Sequence, residues 1–453
     1  MSNQVTLRSS TQSLPRTILI TSNEDPSKQV DLVGGLISIA YFESILSDTL
    51  RATITFTDTG INNVDGIKES ILEGLPIVGQ EKVLLKFEDN NEVSIGDKPE
   101  LVMYVNKVTP IADDTRKTQI KLELVSAEFI RNEKTRITKR YDGKISDHVK
   151  QLLTEGNSIG LKTIKDVSDI DETLNNYNYI GNNKKPFYII NWLSRKAVSA
   201  KSQSLGKSAG YFFYETSKGF HFKSIDSLFS QEQKKSIIYN DTPAVPEGYD
   251  LKALEYSKDN NVNVQNKLKM GAYSTRTILF DPFTTYYEVI TPNAAADEDA
   301  LKLAGKKLPK LNDEFNNEGA NKEFTRTTYH LLDKGTLPTG DTNQQIDKSE
   351  EENFEYKDIL NQSIMRYNQF FSSMATVTIP GDFSLSAADM VYLDVPQLEE
   401  ERAENTSKQN SGLYIIAELT HYVHVTEGTF TKLSLARDSF GKTGKPSKSS
   451  IAN

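Results

Sequence analysis

The sequence predicts a mainly β protein of the α+β class, built in three parts, and three observations predict it. Short β-rich runs separated by polar or Gly/Pro punctuation fill the stretch from Arg16 to Val125. Apolar residues at helical spacing appear between about Arg131 and Leu228. Strand character returns from about Asp250, interrupted by Thr291–Phe354, which is poor in large apolar residues and rich in Asn, Asp, Glu, Lys and Gly. At 453 residues the chain is too long for one ordinary core, and its length suggests roughly three domains.

In the first region the runs RTILITS, LISIAYFESI, RATITFTDT, EKVLLKFED, LVMYVNKV and QIKLELVSA read as strands. Within Ala52–Thr57 the apolar residues alternate with Thr53, Thr55 and Thr57, the pattern of a strand with one buried face. The threonine face is polar but uncharged. It suits a lumen or a subunit contact, with an ordinary solvated face as the default.

The middle region is different. Ile145, Val149, Leu152 and Leu153 fall on one helical face, with Ser146 as the expected cap and Gly156 at the expected end. Pro186 sits where a second helix starts, and Ile190, Leu193 and Ala197 repeat at helical spacing. Trp192, the sole tryptophan, reads as packing. YFFYETSKGFHFKSID, Tyr211 to Asp226, reads as a hairpin with Gly219 at its turn, and it places His221 and Lys223 on one face.

Beyond it, NVNVQNKLKMGAY and TTYYEVI read as strands, and DEDALKLAGKKL as an amphipathic helix. GTLPTGDTNQQIDKSEEEN reads as a mobile loop. A helix is expected over Tyr356–Phe371, followed by strands in MATVTIPGDFSL, DMVYLDVP, GLYIIAELTHYVHV and FTKLSLARD. The two strand-rich regions share no identity that amounts to a sequence repeat, although a duplicated architecture is compatible with their similar type.

Composition excludes several chemistries. With no cysteine there are no disulfides, thiol nucleophiles or thiolate metal sites. MSNQVTLRSS lacks an apolar signal core, and no run approaches the ~18–20 apolar residues of a membrane span, so neither export by a signal peptide nor a membrane partner is expected. A net charge of −9 argues against a nucleic-acid backbone as the main partner. The exception is Gly441–Asn453, where Lys442, Lys445 and Lys448 stand without an acid. That stretch reads as a solvated terminus, or as an electrostatic dock for an acidic partner.

No catalytic, cofactor or metal site emerges. His221 has no local nucleophile or carboxylate partner, and His421 and His424 are three apart in a strand and point to opposite faces. His148 rides a helix alone, and His330 borders the polar interval. Gly206-Lys207-Ser208 imitates a phosphate loop, but Lys201 replaces the required glycine. Asp166–Glu172 lacks calcium-loop spacing, and Glu399-Glu400-Glu401 is a loop charge run.

These ordered pieces resemble the baseplate hub proteins of contractile-tailed phages (myoviruses), whose relatives form the hub part of type VI secretion spike proteins. LISIAYFESILSDTLRATITFTD followed by LPIVGQEKVLLKF is similar to the family's opening barrel, with its turn at Gly79-Gln80-Glu81. RNEKTRITKRYDGKISDHVKQLL, KPFYIINWLSRKA and GYFFYETSKGFHFKSIDSLF resemble its middle domain. VTIPGDFSLSAADMVYLDVP and SGLYIIAELTHYVHVTEGTFTKLSLARDSF resemble its closing barrel.

The resemblance implies two tail-tube-like β-barrel domains, 1–130 and the split pair 236–290 with 372–440. Around them it implies an α+β middle domain at 131–235, a loop-and-helix insertion at 291–371 and a basic flexible tail at 441–453. It implies a homotrimer forming a pseudo-sixfold ring between the tail tube, or its initiator protein, and a central spike carried on a separate chain. Other baseplate wedge proteins are further partners, and DNA is only cargo through a central channel. The expected place is the virion baseplate, after synthesis in the host cytoplasm, and no enzyme activity or cofactor is expected. Thr53, Thr55, Thr57, Lys442, Lys445 and Lys448 are the expected interface residues.

Two other roles compete. The same hub can serve a non-infectious injection particle or a secretion system, which a neighbouring capsid gene or its absence separates. A glycan- or receptor-binding tail protein, or a baseplate cell-wall hydrolase, would bind a glycan array or clear a peptidoglycan zymogram.

Overall fold

The computed structural model describes residues 14–447 apart from 61, 65–66, 90, 92, 157–159, 201–208, 243, 259–262, 274, 283, 291–301, 310, 316–325, 333–340, 345, 347–355 and 398–405. Gly206–Ser208, Glu399–Glu401, Lys448 and most of the 335–353 loop lie outside the described residues.

In the first region the main strands are β1 (Leu14–Thr21), β2 (Gln29–Asp31), β3 (Leu36–Ser44), β4 (Arg51–Asp58), β5 (Lys82–Glu88), β6 (Leu101–Asp114) and β7 (Lys117–Val125). Alternation buries Ile18, Ile20, Ile39, Ile54, Phe56, Val83, Leu85, Phe87, Ile120 and Leu122 in one core. The segment 29–44 bends at a 3-10 turn, Leu32–Gly35, capped by the Asp31 carboxylate, which accepts from Val33 N at 3.0 Å. Its first part pairs with β1 and its second with β4, so one stretch of chain serves two neighbours. The predicted Gly79-Gln80-Glu81 turn holds itself: Gly79 takes φ +114°, and the buried Glu81 accepts from Val78 N and Gly79 N at 2.8 and 2.9 Å.

In the middle region α1 (Ala127–Lys134) precedes α2 (Ile145–Thr154) and α3 (Pro186–Ser194), followed by the hairpin β8 (Tyr211–Thr216) and β9 (Gly219–Ser224) and by α4 (Ile225–Ser230). Ile145, Val149, Leu152 and Leu153 are buried together, as their spacing predicts. Lys144, not Ser146, is the cap residue of α2. Ser146 lies inside the helix, and its N–H donates to Thr173 Oγ1 at 3.0 Å. Pro186 opens α3 as expected, and Trp192 packs edge-on against Tyr177 and Tyr179.

The third region comprises β10 (Lys235–Ile238), β11 (Leu251–Lys252), β12 (Glu255–Lys258), α5 (Val264–Met270), β13 (Thr275–Phe280), β14 (Tyr287–Ile290), β15 (Arg326–Leu331) and α6 (Tyr356–Phe370). It ends with β16 (Ser373–Pro380), β17 (Met390–Asp394), β18 (Gly412–His424) and β19 (Gly428–Arg437). Three expectations need correction here. NVNVQNKLKMGAY forms the helix α5: Asn263 caps it through Asn266 N, and Gly271 ends it in the left-handed region at φ +79°. End signals outweigh a short alternation. In DEDALKLAGKKL, residues 302–308 are not helical, because Lys306 N and Lys307 N donate to Phe440 O and Gly305 lies against the same backbone.

The third correction concerns the tail. Residues 441–447 are docked: Lys442 Nζ lies 2.9 Å from Asp394 Oδ1, and Ser447 N donates to Ser236 Oγ at 3.0 Å.

The two strand-rich regions are not separate sheets. Among the described residues they form one 15-stranded sheet, which takes in the short strand Ser94–Ile95 beside β5 and is joined by an antiparallel ladder between β3 and β18, from Ser44↔Glu418 to Ser38↔His424. The segment 251–258 mirrors the bend at 29–44. Ala253 N donates to Ile238 O of β10, and Leu254 N to Thr378 O of β16. Strands β13–β15 form a sheet of their own, in the order β14-β13-β15.

Candidate assembly surface

Because register partners in antiparallel strands share a face, the ladders define one outward surface across β7, β4, β3, β18, β19, β16 and β12. One row reads Glu123, Thr53, Ala40, Tyr422, Phe430, Pro380. The next reads Lys121, Thr55, Ser38, His424, Gly428. On the other side lie Arg51, Phe42, Thr420, Lys432, Thr378, Glu255, and beyond them Ser44, Glu418, Ser434, Thr376, Ser257. Ser and Thr are the commonest residues, nine of the 22, with Ala40, Phe42, Tyr422, Phe430 and Pro380 among them, and Arg51, Lys121 and Lys432 are interspersed with Glu123, Glu255 and Glu418.

Thr53 and Thr55 therefore sit one strand in from the edge of a surface that runs from the first region into the third, and Thr57 extends it beside Gln119. At one end the surface opens into a groove of about 660 Å³ whose lining includes Phe42, Leu46, Arg51, Thr53, Glu123 and Glu418. Lys442 belongs elsewhere, held by Asp394 and by Thr406 Oγ1. Lys445 is exposed, and its carbonyl accepts from Gln233 Nε2 at 2.9 Å.

Beneath the surface, buried polar groups fix the three regions together. Glu43 accepts from Tyr41 Oη at 2.8 Å, from Ser217 N of the hairpin turn at 2.9 Å and from Ala387 N of the third region at 2.8 Å. Burial pushes its carboxyl up, against these three donors. His421, opposite Tyr41 in the joining ladder, stacks on that ring and shares a 2.9 Å hydrogen bond with Thr431 Oγ1. Desolvation pushes the imidazole down to about 4. Arg366 of α6 bridges Asp226 at 2.9 Å and Asp438 at 3.1 Å, all three buried. Lys165 pairs with both Glu128 and Glu215, and Glu215 also accepts from Leu50 N at 2.9 Å.

His221 is held by three neighbours. Its Nδ1 lies 2.7 Å from Asp169 Oδ2, its Nε2 2.7 Å from Thr216 Oγ1, and its ring stacks on Tyr214. The His221 hydrogen bond, with Lys223 beside it, holds the Asp169 carboxyl well below the usual carboxylate range. His421 points inward and His424 outward, as the strand period requires. Among the described residues, no three His, Asp or Glu side chains gather as a metal site, and no helix is long and apolar enough to cross a membrane.

The buried polar groups were not singled out in the sequence, yet Glu43 carries a signal. It falls in the buried phase of Ile39-Ala40-Tyr41-Phe42-Glu43, where a carboxylate needs partners. Arg366, Asp226 and Asp438 carry none, because their meeting is set by distant parts of the chain.

Comparison with family models finds no match, and neither does comparison with curated proteins. Solved structures do match. The tail protein from Neisseria meningitidis MC58 aligns at a TM-score of 0.50 with 7% identity, over 93% of this chain and 96% of that one. The 43 kDa tail protein of prophage MuSo2 from Shewanella oneidensis aligns at 0.50 with 10% identity, over 93% and 98%. The E. coli c3393 protein, described as a type VI secretion component similar to T4 tail proteins gp27 and gp5, aligns at 0.41 with 7% identity, over 97% and 79%. The first two alignments, nearly end to end in both partners, show that the chain has the fold of these two tail proteins.

Proposed function

We propose that this chain, which shares its fold with those tail proteins, is a structural subunit of a contractile-tail baseplate, the hub between tail tube and central spike. One observation carries the reading: the face, rich in Ser and Thr and carrying charges of both signs, that continues from the first region into the third across the β3–β18 ladder. A channel wall needs a face that is wetted yet does not grip its cargo. A face dense in Lys and Arg would hold a phosphate backbone, whereas this one mixes both signs among hydroxyls.

In this reading each strand-rich region is a tube-like module, spanning 1–130 and 236–290 with 372–440, with 131–235 between them and 291–371 inserted. The bends at 29–44 and 251–258, each pairing one segment with two neighbours, support two curled modules of like design. Three chains then present six modules in a pseudo-sixfold ring, matching a hexameric tube above and a trimeric spike on a separate chain below. Thr53, Thr55 and Thr57 line the channel, and Lys445 and Lys448 face an acidic neighbour. DNA passes through as cargo, wedge proteins surround the ring, and the protein resides in the virion baseplate. The same role in a particle without a capsid uses the same surfaces.

The test is the mass by light scattering, alone and with the spike protein encoded beside it. A trimer or a three-to-three complex is the expected result. A monomer that ignores the spike at high concentration refutes the hub reading.

A further inference from the structure

The small sheet β14-β13-β15 presents two rows of large apolar residues on its outward face. Register aligns Tyr287, Phe280 and Leu331 in one row and Val289, Ile278 and Tyr329 in the next. Tyr329 is 75% exposed, and Tyr287 and Leu331 are each 65% exposed. The opposite face is already used: Thr275, Thr277 and Leu279 are buried, and Leu279 joins the middle-region core. With aromatic side chains offering ~150–250 Å² each, the outward face leaves roughly 500 Å² of apolar surface uncovered, at the upper end of what a monomer shows.

The occupant can be narrowed. A second copy docking face to face would bury roughly 1,000 Å², short of the ~1,200–2,000 Å² of specific stable pairs. A ring of copies needs a different, complementary patch on the same chain. Among the described residues the other exposed apolar side chains, such as Leu46, Val78, Ile164, Leu254 and Val425, are scattered over all three regions. The chain's own continuation from β14, residues 291–300, has no large apolar side chain.

Charge supplies the positive argument. The lobe of residues 264–290 and 326–331 carries Lys267, Lys269, Arg276 and Arg326 against Asp281 and Glu288, and Asp281 is buried on Thr284. It is a basic lobe on a protein of net charge −9.

We propose that this face docks a partner protein of different sequence, through an apolar strand or helix face flanked by carboxylates. The proposal rests on the hub reading, and the partner belongs to the same particle. A side chain at 75% exposure can be changed without disturbing the core, so the full chain carrying Tyr329→Glu and Leu331→Glu is assembled into particles, whose protein composition is measured. A second preparation carries the photo-crosslinker p-benzoylphenylalanine at position 329.

The expected result has three parts. The variant melts like the wild type and enters particles at normal stoichiometry, while one other particle protein falls at least fivefold. The crosslinker attaches to that same protein, and Lys269→Glu, at an exposed position of the lobe, lowers the yield. Unchanged composition, adducts only to a second copy of this chain, or binding of the isolated chain to phosphatidylserine vesicles that the variant abolishes would each overturn the proposal. A chain absent from every particle refutes the hub reading as well.

Discussion

Acid sensitivity of the joining ladder can be predicted from His421. In the folded chain its imidazole is buried between Tyr41, Phe383 and Thr431 and is pushed down to about 4. In the unfolded chain it titrates near ~6.5. Between these values the unfolded state binds the extra proton, so the stability from keeping His421 neutral is complete above about pH 6.5 and declines as pH falls towards 4. A difference of ~2.5 units at ~1.36 kcal/mol each is about 3 kcal/mol, of which about 2.5 kcal/mol is lost by pH 4.5.

Carboxyls that burial pushes up, such as those of Glu43 and Asp226, also contribute to the pH dependence, so the measurement is a difference of differences. Urea unfolding is followed by circular dichroism at pH 7.5 and 4.5 for the wild type and for His421→Leu, which fills the site without a titrating group. The wild type is expected to lose about 2.5 kcal/mol more than the variant over that interval. Equal losses within about 0.5 kcal/mol would refute the claim that His421 is buried neutral at the seam.

The remaining predictions concern single positions. Arg366→Met leaves Asp226 and Asp438 buried without their cation, and calorimetry should register a loss of about 3–5 kcal/mol. Gly35→Ala would place a Cβ 2.3 Å from Thr57 O at the 29–44 bend, and denaturant unfolding should show a cost of about 1–3 kcal/mol. Gly34→Ala, with nothing within 4 Å, should stay within about 0.5 kcal/mol of the wild type. Thr53→Lys with Thr55→Lys should leave folding and particle assembly intact but slow DNA release, which ejection kinetics at two salt concentrations would register.

Much of the fold was legible because it is locally encoded. The α2 face and Pro186 at the start of α3 depend on spacing within a dozen residues, and so does the alternation of β4. Failures arose where a short pattern met stronger end signals, as in α5, or where a distant backbone captured the segment, as Phe440 captures 305–307. The threonines of β4 announced a polar face but not its extent. That extent depends on β3 pairing with β18, a choice made between strands and invisible in either alone. Lys442 looked free because its partner, Asp394, lies 48 positions earlier in a strand that reads as purely apolar apart from its last residue.

The β3–β18 ladder also carries a timing consequence. Ser44 and Glu418, the pair at its end, are 374 positions apart. A ribosome adding ~5–20 residues per second needs about 20–75 s between them. Throughout that time the newborn first module has β4 on one side of β3 and nothing on the other, an open row of backbone donors and acceptors inviting any passing strand. Biogenesis of this protein is thus a race between its own carboxyl-terminal strand and the neighbours on a crowded polysome. Slowing translation late in the message should lower the soluble yield even though every amino acid is unchanged.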